Sequence, residues 1–171
     1  MGTESFVSDH RDRQERRTRR GGKPRLLYLF GAETVKVFID ASAWIALTDT
    51  SSRRHKTARR YYLALVKQGA QLLTSNYVLA ETFTWLRYKD SHRAAIRCYQ
   101  MTSAAEQQGL LRILWVDRAV AEEAWRIFER YDDQVFSIAD CTSFVLARRA
   151  DVDEVFAFDD DFRIMRFLVR P

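Results

Sequence analysis

A chain of 171 residues, 47% hydrophobic and 13% aromatic, carries enough apolar side chains to fold as one domain with an ordinary core. Its longest apolar runs, such as Leu26 to Phe30, are far too short to span a bilayer, and the charged N-terminus lacks the apolar stretch of an export signal, so a cytoplasmic protein without a membrane segment is expected. The formal charge is +5, with eight Lys/Arg against five Asp/Glu in residues 1–34 and twenty against eighteen in residues 35–171, so the folded part must offset an acidic interior patch with a basic surface.

Residues 1–34 read as a basic extension without helix or strand period, closed by the breaker cluster Gly21-Gly22-Lys23-Pro24. It is either a disordered segment, an upstream stretch from a misplaced start codon, or an arm on RNA phosphates. Order is expected from Val35. Val35 to Asp40 is β-branched and aromatic, a strand, followed by a short helix through Ala43–Leu47. Arg53 to Gln68 reads as a helix stopped by Gly69. Gln71–Thr74 is a strand, and Tyr77–Lys89 a helix with Asn76 as candidate N-cap. Ser91–Gln108 is a helix stopped by Gly109, Leu110–Val116 a strand, Asp117–Tyr131 a helix and Ser137–Arg149 another. Glu154–Phe158 is a strand with Asp159 at its end, and Phe167–Val169 a possible edge strand. Strands alternating with helices predict an α/β domain over residues 35–171 with a mostly parallel sheet of four to five strands covered on both faces. Sites in such sheets lie beyond the carboxyl ends of the strands. Cys98 and Cys141 have no ligand spacing and read as buried thiols, and His10, His55 and His92 are too scattered for a zinc site.

Four acids stand at the ends or inner faces of these apolar elements: Asp40, Glu81, Asp140 and Asp159. Each has a plainer explanation. Asp40 fits a turn or N-cap. Glu81 fits a snorkelling surface glutamate, although Arg87 and Lys89 mark the solvent face of its helix better. Asp140 completes a Ser-x-x-Asp capping box with Ser137. Asp159 opens the acidic turn Asp159-Asp160-Asp161. Their joint placement carries more weight. Buried carboxylates brought together repel one another, and a divalent cation with hard oxygen ligands, Mg²⁺ or Mn²⁺, relieves that cost. A basic chain around an acidic metal pocket points to a phosphodiesterase acting on nucleic acid.

Four segments carry a resemblance to a known family: Val37-Phe38-Ile39-Asp40-Ala41-Ser42-Ala43-Trp44, Thr74 to Thr82, Ser137 to Phe144, and Ala157-Phe158-Asp159-Asp160-Asp161-Phe162. In order, spacing and context they resemble the PIN domain, and within it the VapC-type toxin ribonucleases. The resemblance covers residues 35–171 and none of the extension. It implies a three-layer α/β/α sandwich. It also implies that Asp40, Glu81, Asp140 and Asp159 are the catalytic and metal-site acids, with Ser42 as a nearby polar helper and Asp161 able to share the fourth position. The activity implied is metal-dependent endonucleolytic cleavage of single-stranded or looped RNA, leaving a 3′-hydroxyl and a 5′-phosphate, in a homodimer controlled by a VapB-like antitoxin. Two positions depart from the family. Ala157 stands where Thr is frequent, and Arg166-Phe167 replaces a common Gly-Phe, a change expected to alter a loop and not the chemistry.

Substrate contact needs positive surface. Arg53, Arg54, Lys56, Arg59 and Arg60 cluster on one predicted helix, and Arg87 leads a second group with Lys89, Arg93 and Arg97; each is equally explained as a solvated helix face. Of Trp44, Trp85, Trp115 and Trp125, Trp44 follows the first acid closely and is the ring to watch for a base or a partner. A haloacid-dehalogenase-type phosphatase would need a second Asp two residues after Asp40, where Ser42 stands. A non-toxin RNA-processing nuclease and a non-catalytic RNA-binding module on the same fold remain as alternatives.

Overall fold

A computed structural model of the protein describes residues 34–171. The extension expected over residues 1–34 therefore lies, apart from Thr34, outside the described residues. In chain order the elements are β1 (Lys36–Ile39), α1 (Ala41–Thr48), α2 (His55–Gln68), β2 (Gln71–Ser75), α3 (Asn76–Lys89), α4 (His92–Gln107), β3 (Leu111–Leu114), α5 (Arg118–Arg130), α6 (Ile138–Arg149), β4 (Glu154–Phe156), α7 (Asp161–Ile164) and β5 (Val169–Arg170).

The five strands form one sheet in the order β3-β2-β1-β4-β5, and every pair is parallel. Helices on both faces complete the expected α/β/α layering. β1 is central, and its Val37, Phe38 and Ile39 are fully buried, the unbroken apolar run required of a strand covered on both faces. From β1 the chain steps outward through β2 to β3, then returns to the other side for β4 and β5. The strand order thus reverses between β1 and β4, where open α/β sheets leave a crevice at their carboxyl ends. The Asp40 N–H, just past β1, donates to Phe156 O at the end of β4 at 3.0 Å. No described helix is long and apolar enough to cross a membrane.

The stops at Gly69 and Gly109 stand where expected, each with φ of +71° in the left-handed region that favours glycine. Several boundaries differ from expectation, each for a local reason. α1 starts at Ala41 because the Asp40 side chain caps it. α2 starts only at His55, behind Arg54, whose side chain makes no cap bond, so Arg53 and Arg54 sit in the preceding turn. The cap of α3 is Ser75, whose Oγ accepts from Val78 N–H at 3.1 Å, and not Asn76; the Asn76 Oδ1 instead accepts from Val116 N–H at 2.8 Å. β4 ends at Phe156, so Asp159 stands in the loop beyond the strand. The short α7 was not expected, and the edge strand is Val169–Arg170, not Phe167–Val169. Arg166, at the position of the family's glycine, has φ of +65°.

Trp44 is fully buried, contrary to the exposed role entertained for it. Its Nε1–H donates to Thr74 Oγ1 at 3.1 Å, and Thr74 Oγ1 donates to Ile39 O at 2.8 Å, a polar chain that pins α1 to the ends of β1 and β2. A second anchor is aromatic. Phe162 of α7 packs against Phe38, Phe144 and Phe167 with ring centroids 6.1, 5.0 and 5.8 Å away. Cys98 and Cys141 are free and buried.

Candidate active site

Asp40, Glu81, Asp140 and Asp159 reach the crevice from four elements: the end of β1, the middle of α3, the first turn of α6 and the loop after β4. Asp40 is 5% exposed. Its Oδ2 accepts from Ser42 N–H at 2.9 Å and from Ser42 Oγ–H at 2.7 Å, leaving Oδ1 without a hydrogen bond among the described residues. The Ser42 Oγ also accepts from Phe158 N–H at 2.9 Å. One hydroxyl therefore ties the carboxylate after β1 to the loop that carries Asp159.

Asp140 forms the expected capping box. Its Oδ2 accepts from Ser137 N–H at 2.7 Å while Ser137 Oγ accepts from Asp140 N–H at 3.0 Å. The cap orients the side chain through one oxygen and leaves the other available. The Asp159 Oδ1 is buried and, among the described residues, has no hydrogen-bond partner. An unpaired buried carboxylate oxygen is costly, and a cation is the usual remedy. Glu81 keeps an exposed surface, so the expectation that it avoids the solvent face is corrected. The buried stripe of α3 is Val78, Leu79, Thr82 and Leu86, and Glu81 lies beside it.

The acids feel one another. Burial, and then the charge of Asp159, push the Asp40 carboxyl up to about 8 against the hydrogen bonds from Ser42. Glu81 is raised by partial burial and then by Asp140 and Asp159. Asp140 is raised by burial, opposed by the Ser137 hydrogen bonds, and raised further by Asp159. Asp161 is raised by burial and by Asp140, Asp159 and Asp160, so it shares the same field. Among the described residues none of the four acids has an Arg, Lys or His ion-pair partner. Nor do any three acids stand as a ready ligand set among the described residues. Hard oxygen donors without basic partners, one of them orphaned, fit a divalent cation of the Mg²⁺ or Mn²⁺ type.

A stability effect follows in metal-free protein. The Asp40 carboxyl holds its proton to about pH 8 in the fold but only to 3.8 when free of its surroundings. Between those values the folded state binds more protons than the unfolded one, so raising the pH destabilises the fold. With chelator present, the urea midpoint is expected to fall from pH 5 to pH 8.5. A flat or rising midpoint would contradict the buried acid.

The predicted basic residues divide. Arg53 and Arg54 line a groove of about 420 Å³ together with Ser42, Asp49 and Trp85. Lys56, Arg59 and Arg60 line a separate, more open depression on α2. Arg87 is exposed in the last turn of α3. Trp85, a ring more readily expected in the core, is exposed, and its spacing of four from Glu81 puts both on one helix face.

The sequence matches the PIN domain family over residues 37–168. It is 35% identical over 136 residues to the 23S rRNA-specific endonuclease VapC20 of two Mycobacterium tuberculosis strains, CDC 1551 / Oshkosh and H37Rv, spanning 79% of this chain and 98% of that protein. The crystal structure of Mycobacterium tuberculosis VapC20, a sarcin-ricin loop cleaving toxin, aligns with a TM-score of 0.69 at 34% identity, covering 79% of this chain and 99% of that one. FitAcB from Neisseria gonorrhoeae aligns with a TM-score of 0.57 at 15% identity over 79% of this chain and 96% of its own, a likeness of fold alone.

Proposed function

The chain belongs to the PIN domain family, and from that premise we propose that it is a metal-dependent endoribonuclease, the toxin of a VapBC-type pair, with residues 35–171 as its nuclease domain. The observation that supports the reading is the buried Asp159 Oδ1, without a hydrogen-bond partner among the described residues, near carboxylates whose charges raise one another and which have no basic partner there. Looped ribosomal RNA is the substrate class to expect, since the similar VapC20 acts on 23S rRNA.

In this reading Asp40, Glu81, Asp140 and Asp159 would hold Mg²⁺ or Mn²⁺, with Asp161 able to share the fourth position. A bound divalent cation supplies an acidified water and offsets charge on the phosphoryl oxygens. The chain's own residues do the rest. Ser42 fixes Asp40, and Ser137 fixes Asp140, each through one oxygen, so that the second oxygen of each carboxylate faces its task in one orientation. Glu81, the acid most open to solvent, takes the proton from the attacking water. That water's oxygen bonds to phosphorus as the bond to the 3′-oxygen breaks. The leaving oxygen takes a proton from solvent water and Glu81 later returns its proton to solvent, giving a 3′-hydroxyl and a 5′-phosphate. Arg53, Arg54, Lys56, Arg59, Arg60 and Arg87 supply phosphate contacts. The partners proposed are a second copy of the chain and a VapB-like antitoxin that presents a basic side chain to the acids.

The test is incubation of purified, antitoxin-free protein with 23S rRNA in Mg²⁺, in Mn²⁺ and in chelator. Cleavage with either metal, none with chelator, and 5′-phosphate ends are expected. Cleavage that persists in chelator, or ends carrying a 2′,3′-cyclic phosphate, would rule out this chemistry.

A further inference from the structure

We propose that the groove beside the acids is a subsite for one unpaired nucleotide, with its base stacked on Trp85 and its phosphate held by Arg53 and Arg54. The inference rests on the nuclease reading for the nature of the ligand, but the groove itself stands on geometry. Its volume, about 420 Å³, falls within the roughly 300–1,000 Å³ of small-molecule clefts, so it holds a nucleotide and not a helix.

Two contacts and one helix spacing join the groove to the acidic site. Ser42 belongs to both, lining the groove while its hydroxyl holds Asp40. Trp85 lies one helical turn beyond Glu81 on α3. The Arg54 guanidinium sits 5.2 Å over the ring of Phe158, the residue before Asp159. A nucleotide in the groove is thus a direct neighbour of the reacting phosphate.

The lining chemistry selects the ligand. Trp85 is 38% exposed, and among the described residues its ring has no aromatic partner and its indole N–H no acceptor. An exposed indole with a free face is a stacking platform for any base. Among the described residues Arg53 and Arg54 form no ion pair, so both charges are available to a phosphate. The remaining charge is Asp49, whose Oδ1 already accepts from Ser51 N–H at 2.9 Å and from Ser51 Oγ–H at 2.6 Å. Its carboxylate repels a second phosphate and favours an amino group of the base edge. A base paired within a helix presents no free face to Trp85, so the subsite prefers a nucleotide from a loop.

The test uses the full chain and a stem-loop RNA, with affinity measured in chelator so that no cleavage is needed. An abasic nucleotide is moved through the loop one position at a time. One position is expected at which the lesion weakens binding about ten-fold. Trp85→Ala should weaken binding of the intact RNA by a similar factor and become insensitive to the lesion, while Trp85→Phe keeps most of the affinity. Arg53→Gln with Arg54→Gln should weaken binding at every lesion position and flatten its salt dependence. Affinity unchanged in Trp85→Ala, or undiminished sensitivity to the lesion, overturns the proposal; that is the result expected of a groove that serves a protein partner instead. If the parent cuts RNA and Trp85→Ala cuts with the same kcat/KM, the subsite fails and the nuclease reading stands. If the lesion pattern appears but no metal supports cleavage, the subsite stands and the nuclease reading fails.

Discussion

Asp40→Asn is expected to lose at least about a hundred-fold in RNA cleavage while gaining stability in metal-free solution at pH 8. The loss exceeds the ten- to hundred-fold typical when a group that merely supports a metal ligand is removed. Asparagine keeps the Oδ acceptor that caps α1 and receives the Ser42 hydroxyl, so the fold is preserved. What disappears is a charge buried at 5% exposure beside Asp159 and Asp140. Without a cation that charge is an expense to the fold, and removing it should raise the urea midpoint in chelator above that of the parent. Added Mg²⁺ should reverse the order, because it stabilises only the protein that binds it. Denaturation with and without metal, beside a cleavage assay, reads both effects. A variant equally active, or less stable than the parent in chelator, would mean that Asp40 is a structural cap and nothing more.

The second large effect is expected at Phe162→Ala, about 3–5 kcal/mol of stability. Phe162 is fully buried, and its ring meets those of Phe38, Phe144 and Phe167, which belong to β1, α6 and the turn before β5. Its loss opens a cavity under α7, whose first residue is Asp161 and which follows the loop that holds Asp159. Cleavage should fall more than the folded fraction accounts for, because Asp159 loses its backing. Urea denaturation gives the first quantity, and kcat at a temperature well below the transition gives the second. A loss under about 1 kcal/mol would show that α7 is held by something other than this aromatic cluster.

Much of this architecture was legible in the residues. The apolar run Val37–Ile39, the glycine stops and the alternation of strands with helices each have one physical cause that acts locally. The four acids are proposed for a similar reason: a carboxylate beside a buried strand or helix face stands out against its neighbours. Two kinds of feature were not legible. Caps that depend on competition were misassigned, since Ser75 and Asn76 are both good caps and only the distant Val116 N–H decides which one is free to act. Exposure is not legible where it depends on how a helix packs against the rest of the fold. Trp44 is buried by its bond to Thr74, thirty residues away, while Trp85 is left open. The stacking of Arg54 on Phe158 joins two segments that no local spacing relates.

The central claim is that Asp40, Glu81, Asp140 and Asp159 together bind a catalytic divalent cation. Its most direct test is titration of chelator-stripped protein with Mn²⁺, followed by calorimetry, for the parent and for Asp40→Asn and Asp140→Asn. Asp140→Asn preserves the oxygen that accepts from Ser137 N–H, so its fold should hold. The account predicts saturable binding by the parent, competed by Mg²⁺ and weakened at least about ten-fold in each variant. Equal binding by all three proteins, or no saturable binding by well-folded parent, would contradict it.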